Sequence, residues 1–150
     1  MDQLRPGRRP ARPRGGVRPG NGVSSSLRPL GRVLVVDDEP LVRSMLQNIL
    51  GMLGYDVKQA GDGAHALTLV PVFEPDLVLL DLHMPVMSGL EALDHLRRDY
   101  PAIPVVIVTG DTDEQLAQRT LRGGAVGYVV KPFTVDRLSQ AVTIALRAKG

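Results

Sequence analysis

The chain contains no cysteine, which excludes a disulfide framework, a thiolate metal site and a cysteine nucleophile together. Its three histidines, His65, His83 and His95, are too scattered for a zinc site. No apolar run approaches the ~20 residues that cross a bilayer, and the N-terminus lacks the apolar stretch of a secretory signal. No membrane contact is expected, and the cytoplasm is the expected location.

What is present suits one ordinary domain. A length of 150 residues with 43% hydrophobic content provides for a real core. Charge is distributed unevenly: residues 1–32 hold eight arginines against one acid, Asp2, a local +7 that leaves −5 for the rest of a chain whose total is +2. Residues 1–31 are rich in Arg, Pro, Gly and Ser and cannot bury enough surface to offset the entropy of ordering, so a disordered arm is expected there. Without interleaved aromatics, the arm reads as a solvated tail more readily than as a nucleic-acid contact.

From Arg32 onward, short β-branched runs alternate with segments of helical period. Strands are expected at Val33–Val36, Val57–Ala60, Leu77–Leu80, Val105–Val108 and Val126–Val130. Helices are expected at about Leu41–Leu53, Ala64–Val72, Leu90–Arg98, Glu114–Arg122 and Val135–Arg147. Pro40 starts the first helix and Gly54 ends it. Thr112 with Gln115 has the form of a capping box for the fourth helix, and Gly123-Gly124 supplies its left-handed stop. Continuously apolar strands separated by single helices imply right-handed crossovers and a parallel sheet covered on both faces, a doubly wound α/β domain over residues 32–148.

Ligands of such a sheet gather beyond the carboxyl ends of its strands. Directly after the apolar runs stand Asp37-Asp38-Glu39, Asp81, Thr109 and Lys131-Pro132, while Gly61-Asp62-Gly63 after the second strand reads as a turn. Each has an ordinary explanation alone: a helix cap, a strand-end hydroxyl, a surface cation. Four sites at four strand ends of one sheet carry the inference.

Adjacent carboxylates repel one another, and a cation relieves them. Hard oxygen ligands with room for water suit magnesium better than zinc or a dedicated calcium cage. Asp38 and Asp81 are the first-choice ligands, with Asp37 direct or through water. His83 would offer its backbone carbonyl, since the loop turns there toward Met84-Pro85. Thr109 can hydrogen-bond a phosphoryl oxygen, and Lys131 can neutralise another or pair with Asp81. With magnesium these groups suit phosphoryl transfer to the Asp81 carboxylate.

Four segments, VLVVDDEP (33–40), LDLHMPVMSG (80–89), VIVTG (106–110) and YVVKPF (128–133), resemble the signature blocks of response-regulator receiver domains, the phosphoacceptors of two-component systems. The resemblance covers residues 32 to about 148. It implies a flavodoxin-like sheet of strand order 2-1-3-4-5 with five helices. Asp81 is implied as phosphoacceptor, Asp37 and Asp38 as the acidic magnesium pair, His83 as the carbonyl ligand, and Lys131 as the active-site lysine. Thr109 and Tyr128 are implied as switch residues, with a cis peptide before Pro132. The implied donor is a phosphohistidine on a histidine kinase or phosphotransfer protein, and the implied output surface is the fourth helix with the fifth strand. Such a domain catalyses only its own phosphorylation and dephosphorylation.

All the blocks are present. Gly110, smaller than the alanine common beside the switch hydroxyl, should ease access of the donor. Glu91-Ala92-Leu93 matches a phosphodiesterase signature by three letters only. Haloacid-dehalogenase-like phosphatases also place an aspartate nucleophile after a strand, but with a second acid two residues later, where this chain has His83. Two outputs remain: a stand-alone receiver working through protein contacts or phosphoryl relay, and a receiver module of a longer regulator. A less favoured third is nucleic-acid contact through the basic arm under phosphorylation control.

Overall fold

A computed structural model describes residues 29–149. The arm expected at residues 1–31 lies almost wholly outside the described residues. Leu30 and Gly31, at its end, bond through their backbones to Gly54 and Asp56.

Five strands alternate with five helices: β1 (Arg32–Val36), α1 (Pro40–Met52), β2 (Asp56–Ala60), α2 (Gly63–Phe73), β3 (Leu77–Leu80), α3 (Gly89–Asp99), β4 (Val105–Thr109), α4 (Glu114–Arg122), β5 (Gly127–Val130) and α5 (Val135–Lys149). All strand pairs are parallel, in the order β2-β1-β3-β4-β5. This is the doubly wound order expected from the blocks.

Val33–Val36, Leu77–Leu80 and Val105–Val108 of the central strands are apolar throughout because helices cover both faces of the sheet there. Leu34, Val36, Val78, Leu80 and Ile107 pack with Ala66, Leu93 and Leu96 of α2 and α3 on one side. Val33, Val35, Leu79 and Val108 pack with Leu46, Leu50, Leu138 and Val142 of α1 and α5 on the other. Truncating a leucine as buried as Leu34 or Leu80 costs about 2–5 kcal/mol.

Helix ends follow local chemistry. Pro40 occupies the first turn of α1, where its missing N–H would have had no helical partner. The capping box expected at Thr112 and Gln115 is not formed: Asp113 is the N-cap of α4, its carboxylate accepting from the Gln115 and Leu116 amides. A charged acceptor one residue nearer the helix reaches those amides directly and suits the positive end of the helix. Gly124 has φ +111, the left-handed stop expected there. Asp62, read from sequence as part of a turn, also caps α2 through the His65 amide.

The capping box that does form lies at α3, where Ser88 and Glu91 exchange side-chain and backbone bonds. Glu91 therefore has a local structural role in the segment whose letters matched a phosphodiesterase signature.

Candidate functional site

Strand register assembles the site. Val36 pairs with Leu80, so the next residues, Asp37 and Asp81, leave the sheet side by side, with the Asp81 amide donating to the Val36 carbonyl at 3.0 Å. Thr109 pairs with Val130, and the Lys131 amide donates to the Thr109 carbonyl at 2.8 Å. The expected residues thus emerge at one edge of the sheet.

Carboxylate oxygens of Asp37, Asp38 and Asp81 lie within 4.8 Å of one another. Asp37 and Asp81 are buried and Asp38 is exposed. The Lys131 ammonium stands 2.6 Å from Asp37, 3.4 Å from Asp81 and 3.8 Å from Glu39. Lys131 thus pairs with Asp81, as expected from the sequence, and more closely with Asp37, which was not expected as its partner. Asp37 also receives the Glu39 amide at 2.8 Å, and Asp81 receives the His83 amide at 3.4 Å.

Burial pushes the Asp37 carboxyl above its ordinary value, against the hydrogen bonds from Lys131 and Glu39 and the Lys131 charge; the Asp81 charge adds to the rise. Burial alone would lower Lys131, but its bond to Asp37 and the charges of Asp81 and Asp37 hold it above its ordinary value. One ammonium among three clustered carboxylates leaves the site short of positive charge. A hard divalent cation such as magnesium fits this donor set: all-oxygen, compact, and open to water at exposed Asp38.

The His83 side chain is exposed and turns to the β4–α4 loop, its Nε2 lying 2.6 Å from Asp111. The Asp113 amide and His83 hold the Asp111 carboxyl below its ordinary value. Thr109 is fully buried, and its hydroxyl accepts from the Asp111 amide at 3.4 Å. Half-buried Tyr128 donates its hydroxyl to the Asp111 carbonyl at 2.9 Å. Burial, then the charges of Asp111, Asp113 and Asp81, raise the Tyr128 hydroxyl above its usual range. The Lys131-Pro132 peptide is cis, as the resemblance implied.

Three residues that shape the site were not singled out from sequence. Asp111 links His83, Thr109 and Tyr128 but lies one residue beyond the VIVTG block. Gly89 admits the Asp81 backbone against the start of α3; the S-x-x-E pattern of Ser88 and Glu91 marks that helix start and could have drawn attention to it. Arg43, which falls within the expected first helix, donates to the Asp37 carbonyl at 2.7 Å.

A parallel sheet carrying an acidic cluster and a lysine beyond its strand ends defines a doubly wound domain with its reactive edge at the topological switch. The family model described as response regulator receiver domain matches residues 33–143. The chain belongs to that family: it is a receiver domain of two-component response regulators, a signalling domain and not an enzyme in the ordinary sense.

The chain is 39% identical over 121 residues to the regulatory protein AtoC of Escherichia coli, covering 81% of this chain and 26% of that protein. It is 43% identical over 116 residues to the DNA-binding response regulator MtrA of Mycolicibacterium smegmatis, covering 77% of this chain and 50% of that one. The chain thus spans about a quarter and about half of these relatives. A crystal structure of a CheY-like response regulator receiver domain protein from Methanospirillum hungatei superposes with TM-score 0.76 at 28% identity, covering 80% of this chain and 96% of that one. Among the described residues, no helix is long and apolar enough to cross a membrane.

Proposed function

We propose that residues 32–148 act as a unit that accepts a phosphoryl group on Asp81 from a phosphohistidine of a histidine kinase or phosphotransfer protein in the cytoplasm. The observation carrying this reading is the clustering of Asp37, Asp38 and Asp81 within 4.8 Å, with Lys131 against two of them. An Asp81 oxygen attacks phosphorus; the new P–O bond forms as the P–N bond to imidazole breaks, and the departing nitrogen keeps the electron pair. The chemistry demands positioning and charge stabilisation above all.

Asp38 and Asp81, with Asp37 direct or through water and the His83 carbonyl, would hold magnesium, which supplies charge neutralisation at the phosphoryl oxygens. Lys131 swings from Asp37 and Asp81 to a phosphoryl oxygen, and the Thr109 hydroxyl bonds another. Hydrolysis of the aspartyl phosphate at the same site resets the domain. Tyr128 is tied by its hydroxyl to Asp111, two residues beyond Thr109. A shift of Thr109 therefore moves the loop that holds Tyr128 and repacks α4 against β5, the surface offered to a downstream protein.

The test is incubation of the whole chain with a small acyl-phosphate and magnesium, followed by detection of an acid-stable, base-labile adduct. Wild type becomes labelled and Asp81→Asn does not. Equal labelling of both moves the acceptor elsewhere.

A further inference from the structure

Asp37 is fixed at every polar atom. Its amide donates to the Ala60 carbonyl at 3.1 Å, its two carboxylate oxygens take Glu39 and Lys131, and its carbonyl takes the Arg43 guanidinium at 2.7 Å. Asp38 is the opposite case. Among the described residues, its carboxylate has no hydrogen bond or ion pair, although it stands in the acidic cluster.

The position of Asp38 is thus set by backbone alone, above all by the plane of the peptide between Asp37 and Asp38. The oxygen of that peptide is the one Arg43 holds. Arg43 is itself braced: its Nε donates to Gln59 Oε1 at 3.2 Å, and Gln59 bonds in turn to Gln47. A β-carbon at Gly61 would lie 3.3 Å from the Arg43 guanidinium, so the glycine after β2 leaves the room this arrangement needs.

We infer that Arg43, braced by Gln59, is a positioning residue for the cation site: by pinning the Asp37–Asp38 peptide it aims the free Asp38 carboxylate at the cation shared with Asp81. This rests on the proposed reading of the three aspartates as a magnesium site. Two physical effects of Arg43 have opposite signs. Its positive charge near the cluster repels a divalent cation, so charge alone makes its removal tighten binding. Its hold on the peptide makes removal loosen binding, as partners behind metal ligands typically contribute 10–100-fold to affinity. Lysine keeps the charge but cannot span the carbonyl and the glutamine with one fork.

The experiment is a titration of the full chain with magnesium chloride, followed by amide NMR shifts, for wild type, Arg43→Gln, Arg43→Lys, Gln59→Ala and Asp38→Asn. Thermal midpoints of the metal-free proteins are measured in parallel. Both Arg43 variants bind magnesium about tenfold more weakly, and Gln59→Ala, which leaves the guanidinium in place, weakens it in the same direction. Magnesium affinity that is unchanged or tighter in the Arg43 variants, with only the thermal midpoint lowered, overturns the inference in favour of a structural role. If Arg43→Gln does not fold, Gln59→Ala decides by the same criterion. No binding by wild type, or binding by Asp38→Asn equal to wild type, overturns the underlying site reading and the role of Arg43 with it.

Discussion

A β-carbon placed on Gly89 would fall 2.2 Å from the carbonyl oxygen of Asp81. The first turn of α3 packs directly on the backbone that carries the proposed acceptor, with the Gly89 amide donating to Leu82 at 2.8 Å. Backbone lies on both sides of the contact, so neither part can yield cheaply. Gly89→Ala is expected to destabilise the domain by about 3 kcal/mol or more. Gly110→Ala, at a glycine with nothing within 4 Å of the added carbon, should stay within about 0.5 kcal/mol of wild type. Urea denaturation of the two variants checks the contrast, and equal losses would refute it.

Asp37 has a folded-state pKa raised above 3.8, chiefly by burial. In the window between the unfolded and folded values the folded chain binds more protons, so this group's stabilisation is present at acid pH and lost as pH rises through the folded value. Metal-free Asp37→Asn should match wild type at the acid end and exceed it at neutral pH. Thermal midpoints of both proteins across pH, without magnesium, test this. A variant less stable than wild type at pH 7 would show that the bond to Lys131 outweighs burial.

The Tyr128 hydroxyl bonds the Asp111 carbonyl. Tyr128→Phe removes that donor and should cost about 1 kcal/mol, with faster hydrogen exchange around Asp111. A variant with unaltered exchange in the β4–α4 loop would remove the link between Tyr128 and the Thr109 segment.

Val86 adopts φ +70 with 91% of its surface exposed. A β-branched residue is strained in that region and has little packing here to offset it. Val86→Gly should raise stability by about 1 kcal/mol, the relief exceeding the extra chain entropy of glycine. An unchanged or lower urea midpoint contradicts the strain.

Lys131→Ala should leave magnesium binding largely intact while slowing phosphorylation by an acyl-phosphate, because the lysine contributes a point charge and is not a ligand. Loss of magnesium binding in this variant would give Lys131 a part in building the acidic cluster.

Much of the architecture was legible because both of its periods are local. Runs such as Val33–Val36 and Leu77–Leu80 announce buried parallel strands, and Asp37, Asp81, Thr109 and Lys131 stand directly after such runs. The helix cap at α4 was misread because Thr112 and Asp113 are both good caps, and backbone direction alone decides which one reaches the amides.

By itself the sequence determined the alternation of strands and helices and placed acids, a hydroxyl and an amine at strand ends, since apolar periodicity is a property of neighbouring residues. Only the tertiary structure decided that Lys131 sits nearer Asp37 than Asp81, that Asp111 ties His83 to Tyr128, and that Arg43 grips the peptide between the two acids. These contacts join segments up to 94 residues apart. Their geometry depends on strand register and side-chain reach, which no local pattern encodes.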